Sequence, residues 1–129
     1  MTGSNKTDRR QPVLFCDFDG TITVSDNIIA IMKKFDPPGW EPIVRAIVEE
    51  RTSIRQGVGD MFQLLPSSMR KDITDFVLSN AGIRSGFAEL LDWCRNNDAL
   101  FYVTSGGIDF FVYPLLAPFG IPADHIYCN

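Results

Sequence analysis

The sequence predicts an α/β fold: a partial parallel sheet with an all-helical module inserted after its first strand. Two observations carry this. Short apolar runs, at residues 13–16 and again at Leu100–Thr104, each stop abruptly at polar, turn-forming residues. Between them lie four amphipathic helical patterns in succession with no strand among them. Unbroken apolar runs of this length suit strands of a parallel sheet whose two faces are both covered.

The first run, Val-Leu-Phe-Cys, leads straight into Asp17-Phe18-Asp19-Gly20-Thr21. Helical spacing follows. Ile28, Ile31, Met32 and Phe35 share one face, and Asp36-Pro37-Pro38-Gly39 ends that helix. Trp40, Ile43, Val44, Ile47 and Val48 repeat the pattern. Ser53 with Gln56 has the spacing of a capping box opening a third helix, with Ile54, Val58, Met61, Phe62 and Leu65 on its face. Gly57 and Gly59 each weaken it by roughly 1 kcal/mol against Ala. Ser67 or Ser68 is expected to cap a fourth helix whose inward residues are Met69, Ile73, Phe76 and Val77. Beyond Asn80-Ala81-Gly82, the residues Phe87, Leu90, Leu91 and Cys94 mark a helix ending at Asn96-Asn97. The second strand and Ser105-Gly106-Gly107 follow, then a helix over 108–119 bent at Pro114, then the strand-like Ile126-Tyr127-Cys128. The chain therefore divides into a disordered tail (1–11), an α/β core (12–25 and 83–129) and a helical module (26–82).

Bulk properties narrow the function. At 129 residues, 45% hydrophobic and 22% charged, the chain suits one compact soluble domain. A formal charge of −4 offers no basic field for nucleic acid or anionic lipid. The polar start of the chain has no apolar run behind it, and nothing approaches the roughly 20 apolar residues of a membrane span. Cys16, Cys94 and Cys128 show no metal or disulfide spacing and read as small hydrophobes in a reducing compartment. Together these predict a cytoplasmic protein with no nucleic-acid or membrane partner. The single histidine, His125, is expected at the surface.

The chemistry is expected where the strands end, because open α/β sheets bind ligands in the crevice beyond their carboxyl ends. Two carboxylates two residues apart repel unless a cation or a shared proton intervenes. Mg²⁺ takes hard oxygen donors, commonly one or two carboxylates plus substrate phosphate. Asp17 then suits a nucleophile forming an acyl phosphate. Asp19 suits the acid that protonates the leaving oxygen and later activates water, its pKa raised by a neighbouring carboxylate. Gly20 permits a tight turn, and Thr21 brings a hydroxyl. Ser105 and Gly106 offer a hydroxyl and close backbone approach to a phosphate at the start of the next helix.

These residues resemble the haloacid dehalogenase-like phosphatase superfamily. Asp-Phe-Asp-Gly-Thr-Ile-Thr is similar to its first motif and Val-Thr-Ser-Gly to its second, and the helical module resembles the cap of the phosphoserine phosphatase group. The resemblance implies a Rossmann-like sheet and an Mg²⁺-dependent phosphomonoesterase acting on a small-molecule phosphate ester. Asp17 would be nucleophile and Asp19 acid/base. Asp17 and the Asp19 backbone carbonyl would hold the metal, and Thr21, Ser105 and Gly106 would hold phosphate. Longer stretches, among them Ser-Asp-Asn-Ile-Ile, Met-Phe-Gln-Leu-Leu-Pro-Ser-Ser and Ser-Gly-Gly-Ile-Asp-Phe-Phe-Val-Tyr-Pro-Leu-Leu, resemble the enol-phosphate phosphatases of bacterial methionine salvage. Trp40, Met61 and Phe62 would then suit a methylthio tail, or else serve as bundle core.

Asp26 is open between a substrate contact and a helix cap. Phosphoserine phosphatases place a longer Glu at that spacing and an Arg near the position of Met61, so the residues here argue against phosphoserine. The superfamily also uses a Lys and a downstream Gly-Asp-x-x-x-Asp. Neither follows Ser105, and the last lysine is Lys71. The sequence is therefore expected to be the N-terminal part of a phosphatase, with its first strand left as an apolar edge.

Overall fold

The computed structural model describes residues 10–106 and 108–128. Gly107 and most of the tail expected to be disordered lie outside the described residues. Three strands, β1 (Val13–Asp17), β2 (Leu100–Thr104) and β3 (Ile126–Tyr127), form a parallel sheet in the order β1-β2-β3. Between β1 and β2 run α1 (Asn27–Phe35), α2 (Trp40–Val48), α3 (Ile54–Gln63), α4 (Arg70–Asn80) and α5 (Phe87–Asn96); α6 (Asp109–Leu116) joins β2 to β3. The partial parallel sheet and its helical insertion are thus as the periodicities predict.

The strands differ from expectation in burial. Val13 and Phe15 are exposed, Phe15 by 68%, whereas Leu14 and Cys16 pack on the core. Register explains the alternation. Leu14 lies beside Phe101 and Cys16 beside Val103, which lies beside Ile126, so one face is apolar and covered, with Phe87 of α5 edge-on to Phe101. On the other face Phe15 stacks with Tyr102, and Tyr102 with Tyr127 and with His125 of the 3-10 turn Ala123–His125, while Phe15 and Tyr127 stay exposed. An unbroken apolar run cannot say which of its residues stay exposed. Among the described residues β1 pairs with β2 alone, leaving the apolar edge that the sequence leads one to expect.

The insertion leaves and rejoins the sheet through a narrow neck. Thr23 and Ile83 form an antiparallel bridge, with Val24 N–H donating to the Gly82 carbonyl (2.9 Å) and Arg84 N–H to that of Ile22 (2.7 Å). Its helices bury Ile28, Ile31, Met32, Val58, Met61, Leu65, Ile73 and Val77, and Phe35 of α1 meets Phe76 of α4 edge-on. Asp26 caps α1 by accepting the Ile29 N–H (3.0 Å), and Ser53 caps α3 through the Gln56 N–H (3.0 Å). The reciprocal half of the α3 capping box is replaced, because Gln56 Nε2 turns to Asp60 instead. Ser67 and Ser68 do not cap α4. Extended Pro66 precedes a 3-10 turn over Ser67–Met69 that feeds directly into the helix.

The two α3 glycines have opposite roles. The Ile47 side chain of α2 occupies the place where a Cβ on Gly57 would stand, while nothing lies within 4 Å of a Cβ on Gly59. Gly57→Ala gains about 1 kcal/mol of helix propensity but forces overpacking worth about 1–3 kcal/mol, so net destabilisation is expected. Gly59→Ala is expected to stabilise by about 0.5–1 kcal/mol, because only the propensity gain applies. Urea denaturation of both variants checks the opposite signs.

His125 departs from its expected surface role. Half-buried, it stacks on Tyr102 (ring centroids 4.3 Å) and places Nδ1 3.0 Å from the Phe101 carbonyl oxygen. A carbonyl only accepts, so Nδ1 carries the proton there and the imidazole fastens the β3 approach to β2. All three cysteines are free, Cys94 buried and the others half-buried. Among the described residues no helix is long and apolar enough to cross a membrane.

Candidate active site

Parallel pairing of β1 with β2 sets Asp17 beside Thr104, which brings the two strand-end segments together. The link is direct: Ser105 Oγ donates to Asp19 Oδ2 at 3.3 Å across 86 positions of sequence.

The loop after β1 is shaped by Phe18. Its side chain is fully buried, so Asp17 and Asp19 on either side of it remain at the strand end. Its carbonyl accepts the N–H groups of Thr21 (3.2 Å), Ile22 (2.9 Å) and Thr23 (3.1 Å), which curls the chain tightly. Gly20 takes φ +74°, a left-handed conformation that costs glycine nothing. Asp17 is exposed. Its Oδ1 accepts the Phe18 N–H (2.9 Å), and its Oδ2 lies 3.5 Å from the Thr21 hydroxyl.

Asp19 is partly buried. Burial lifts its carboxyl above the ordinary carboxylate range, and the nearby negative charge of Asp26 adds to the lift. Hydrogen bonds from Asn27 and Ser105 oppose it without cancelling it. The contributing carboxylate is therefore Asp26, secondary to burial, in place of the adjacent acid suggested by the Asp-x-Asp spacing.

Ser105 N–H donates to the Tyr127 carbonyl (2.8 Å), tying the second loop to β3. Thr104, Ser105, Gly106, Tyr127 and Cys128 line an open depression of about 450 Å³ beyond the ends of β2 and β3. Gly106 faces the insertion: a Cβ on it would stand 3.7 Å from Ile54 Cγ2 of α3. Asp26 sits at the neck as the α1 cap. Of the three apolar residues considered for a methylthio tail, Trp40 bonds its Nε1 to Asp36 (2.9 Å), Phe62 packs edge-on to Phe110, and Met61 is buried.

Three residues at the site are not evident from the sequence. Asn27, only 3% exposed, donates Nδ2 to Asp19 Oδ1 (2.8 Å) and to Thr23 Oγ1 (3.1 Å). Thr23, fully buried, receives the Gly20 N–H (3.1 Å) and donates to the Ser25 carbonyl (2.7 Å). Arg84 reaches back from the neck, donating Nε to the Thr21 carbonyl (2.8 Å) and Nη2 to that of Gly20 (3.2 Å). One signal pointed to Asn27: it falls one helical turn before Ile31, a polar residue on an apolar face.

The donors at the end of β1 are carboxylate, carbonyl and hydroxyl oxygens, which suit magnesium completed by water and substrate. Among the described residues no group of three or more His, Cys, Asp or Glu gathers as a metal cage.

Comparisons with known proteins address the family and the fold. The model of the haloacid dehalogenase-like hydrolase family matches residues 14–129. A 2-hydroxy-3-keto-5-methylthiopentenyl-1-phosphate phosphatase of Brevibacillus brevis is 56% identical over 117 residues, covering 91% of this chain and 53% of that protein. One of the same name from Geobacillus thermodenitrificans is 53% identical over 94% of this chain and 54% of its own length. The chain thus spans about half the length of these curated relatives. Among solved structures, a phospho-aspartyl intermediate analogue of phosphoserine phosphatase superposes with a TM-score of 0.74 at 18% identity, over 93% of this chain and 56% of that one. Because the family model matches residues 14–129, nearly the whole chain, the chain belongs to the haloacid dehalogenase-like hydrolases.

Proposed function

We propose that this chain carries the nucleophile half of a magnesium-dependent phosphomonoesterase site, acting on an enol phosphate of the kind named in its relatives. The observation that carries the reading is the Ser105–Asp19 contact, which joins the two motif loops into one site. In this mechanism an Asp17 carboxylate oxygen, oriented by the Phe18 N–H and the Thr21 hydroxyl, attacks phosphorus and forms an aspartyl phosphate. Asp19, whose carboxyl burial lifts above the ordinary carboxylate range, protonates the departing oxygen and then takes a proton from the water that cleaves the acyl phosphate. Ser105, Gly106 and Thr21 contact the phosphoryl oxygens. Magnesium, held by the Asp17 carboxylate and the Asp19 carbonyl, would offset the charge between the carboxylate and the phosphate dianion. Asn27 and Arg84 position the loop.

The substrate assignment rests on the relatives' names: the two described above are 2-hydroxy-3-keto-5-methylthiopentenyl-1-phosphate phosphatases, and a 51% identical Bacillus licheniformis protein is a bifunctional enzyme MtnB/MtnX. On this reading the chain acts in methionine salvage and in the cytoplasm, a reducing compartment that suits its free thiols. Residues 26–82 act as the cap over the core at 12–25 and 83–129.

A second reading is favoured by the exposed aromatic residues Phe15 and Tyr127 on the sheet's other face. In it the segment binds metal and phosphate weakly and turns over only with a complementary polypeptide. Purified 129-residue protein assayed with an aryl phosphate decides between them. Phosphate release that requires Mg²⁺ supports the first reading, and no release with or without it supports the second.

A further inference from the structure

Away from the neck, the insertion meets the core at a second place, where α4 lies against α6. There the Arg70 guanidinium carbon stands 5.1 Å from the centre of the Phe110 ring, and Phe62 of α3 meets the same ring edge-on at 6.1 Å. We propose that Arg70 and Phe110 are positioning residues for the phosphoryl group: their contact sets the first turn of α6, and through it the placement of the Ser105–Gly106 loop. The inference rests on the phosphomonoesterase reading and adds to it two residues outside the motif loops.

Phe110 needs such support. It lies in the first turn of α6, just past the loop, and no side chain caps the N-terminus of that helix. Pro114 sits inside the helix and has no N–H to donate to the Phe110 carbonyl one turn earlier. The opening turn is therefore weakly tied to the rest of α6, and local structure alone does not fix where the loop before it lies. At its other end the loop is held by the Ser105 N–H on the Tyr127 carbonyl (2.8 Å). The insertion supplies the restraint at the α6 end.

Arg70 has no other evident use. It is the first residue of α4, where a cation opposes the helix dipole, and among the described residues it forms no ion pair with a carboxylate. The face of the Phe110 ring is the partner that offsets this placement. Packing beside the contact is loose. A cavity of about 230 Å³ adjoins it, lined in part by Phe62, Leu65, Ile73 and Ile108. Loss of the Arg70 charge or the Phe110 ring should therefore release the α6 turn, because few neighbours are close enough to hold it in their place.

Inorganic phosphate titrated calorimetrically into the 129-residue protein with Mg²⁺ reads the placement of the loop, and urea denaturation reads stability alongside. Arg70→Met keeps most of the apolar stem and removes the charge. It is expected to weaken phosphate binding about two- to fivefold, the strength of an exposed cation–π contact. Phe110→Leu, which keeps every charge, should weaken binding at least as much, and Arg70→Met added to it should cost nothing further. Arg70→Lys and Phe110→Tyr keep the cation and the ring and should stay within about twofold of wild type. A merely structural contact would lower stability and leave phosphate affinity unchanged in Arg70→Met, and that result overturns the assignment. Equal losses in Arg70→Met and Arg70→Lys also overturn it. If Phe110→Leu fails to fold, the Arg70 series decides alone. Wild-type protein that binds no phosphate removes the phosphate site and the positioning role together, whereas wild-type binding beside an inert Arg70→Met removes the positioning role only.

Discussion

Asp17→Asn is expected to lower turnover of a phosphate monoester by about 10⁴-fold or more, the scale on which loss of a nucleophile registers in hydrolases. The amide is nearly the same size: its one oxygen keeps the Phe18 N–H, its NH2 donates to the Thr21 hydroxyl oxygen in place of accepting from it, and the loop keeps its shape. What disappears is the anionic oxygen that the proposed mechanism directs at phosphorus. Stability should change by no more than about 1 kcal/mol, because Asp17 is exposed and its contacts are local. Phosphate release followed alongside urea denaturation separates the two effects. A variant that keeps wild-type turnover would remove Asp17 from the mechanism.

Phe18→Ala is expected to act the other way, costing about 3–5 kcal/mol of stability, enough to unfold much of a marginal domain. Phe18 is fully buried in the core and shares it with Ile22, Ile31 and Met32. Removing the ring leaves a void directly beneath the loop whose three N–H groups converge on the Phe18 carbonyl. A Leu at this position fills more of the void and should recover part of the loss. Equilibrium urea denaturation of both variants measures the difference. An Ala variant within about 1 kcal/mol of wild type would show that the loop is not anchored through this ring.

The contrast between Asp17 and Phe18 shows what the sequence could and could not convey. An acid–aromatic–acid triplet after an apolar run is legible because strand periodicity puts the middle residue on the opposite side from its neighbours. The order of strands and helices is legible for the same reason, and β2 has the bounds its apolar run suggests. Lost from view were properties that depend on what packs against what. The apolar run of β1 does not reveal that Phe15 stays exposed. A serine pair before an amphipathic stretch suggests a cap, yet Pro66 sets the backbone for a 3-10 turn. Asn27 and Arg84 are ordinary polar residues until folding brings one to the Asp19 carboxylate and the other to the Gly20 and Thr21 carbonyls. The raised pKa of Asp19 was foreseeable in direction, but its main cause, burial, is a property of the folded chain.

At the neck formed by Thr23 and Ile83, Arg84 also holds the loop after β1 through the Thr21 and Gly20 carbonyls. The insertion and the loop are thereby mechanically joined through one side chain and a few backbone hydrogen bonds.

In the proposed mechanism phosphoryl transfer passes through Asp17. Mixing the protein with Mg²⁺ and a phosphate monoester, quenching rapidly and reducing with borohydride converts an acyl phosphate to the corresponding alcohol, which peptide mass mapping locates. Homoserine is expected at position 17, dependent on substrate and absent from Asp17→Asn. Phosphate release with position 17 unmodified, or with the label on another residue, would contradict it.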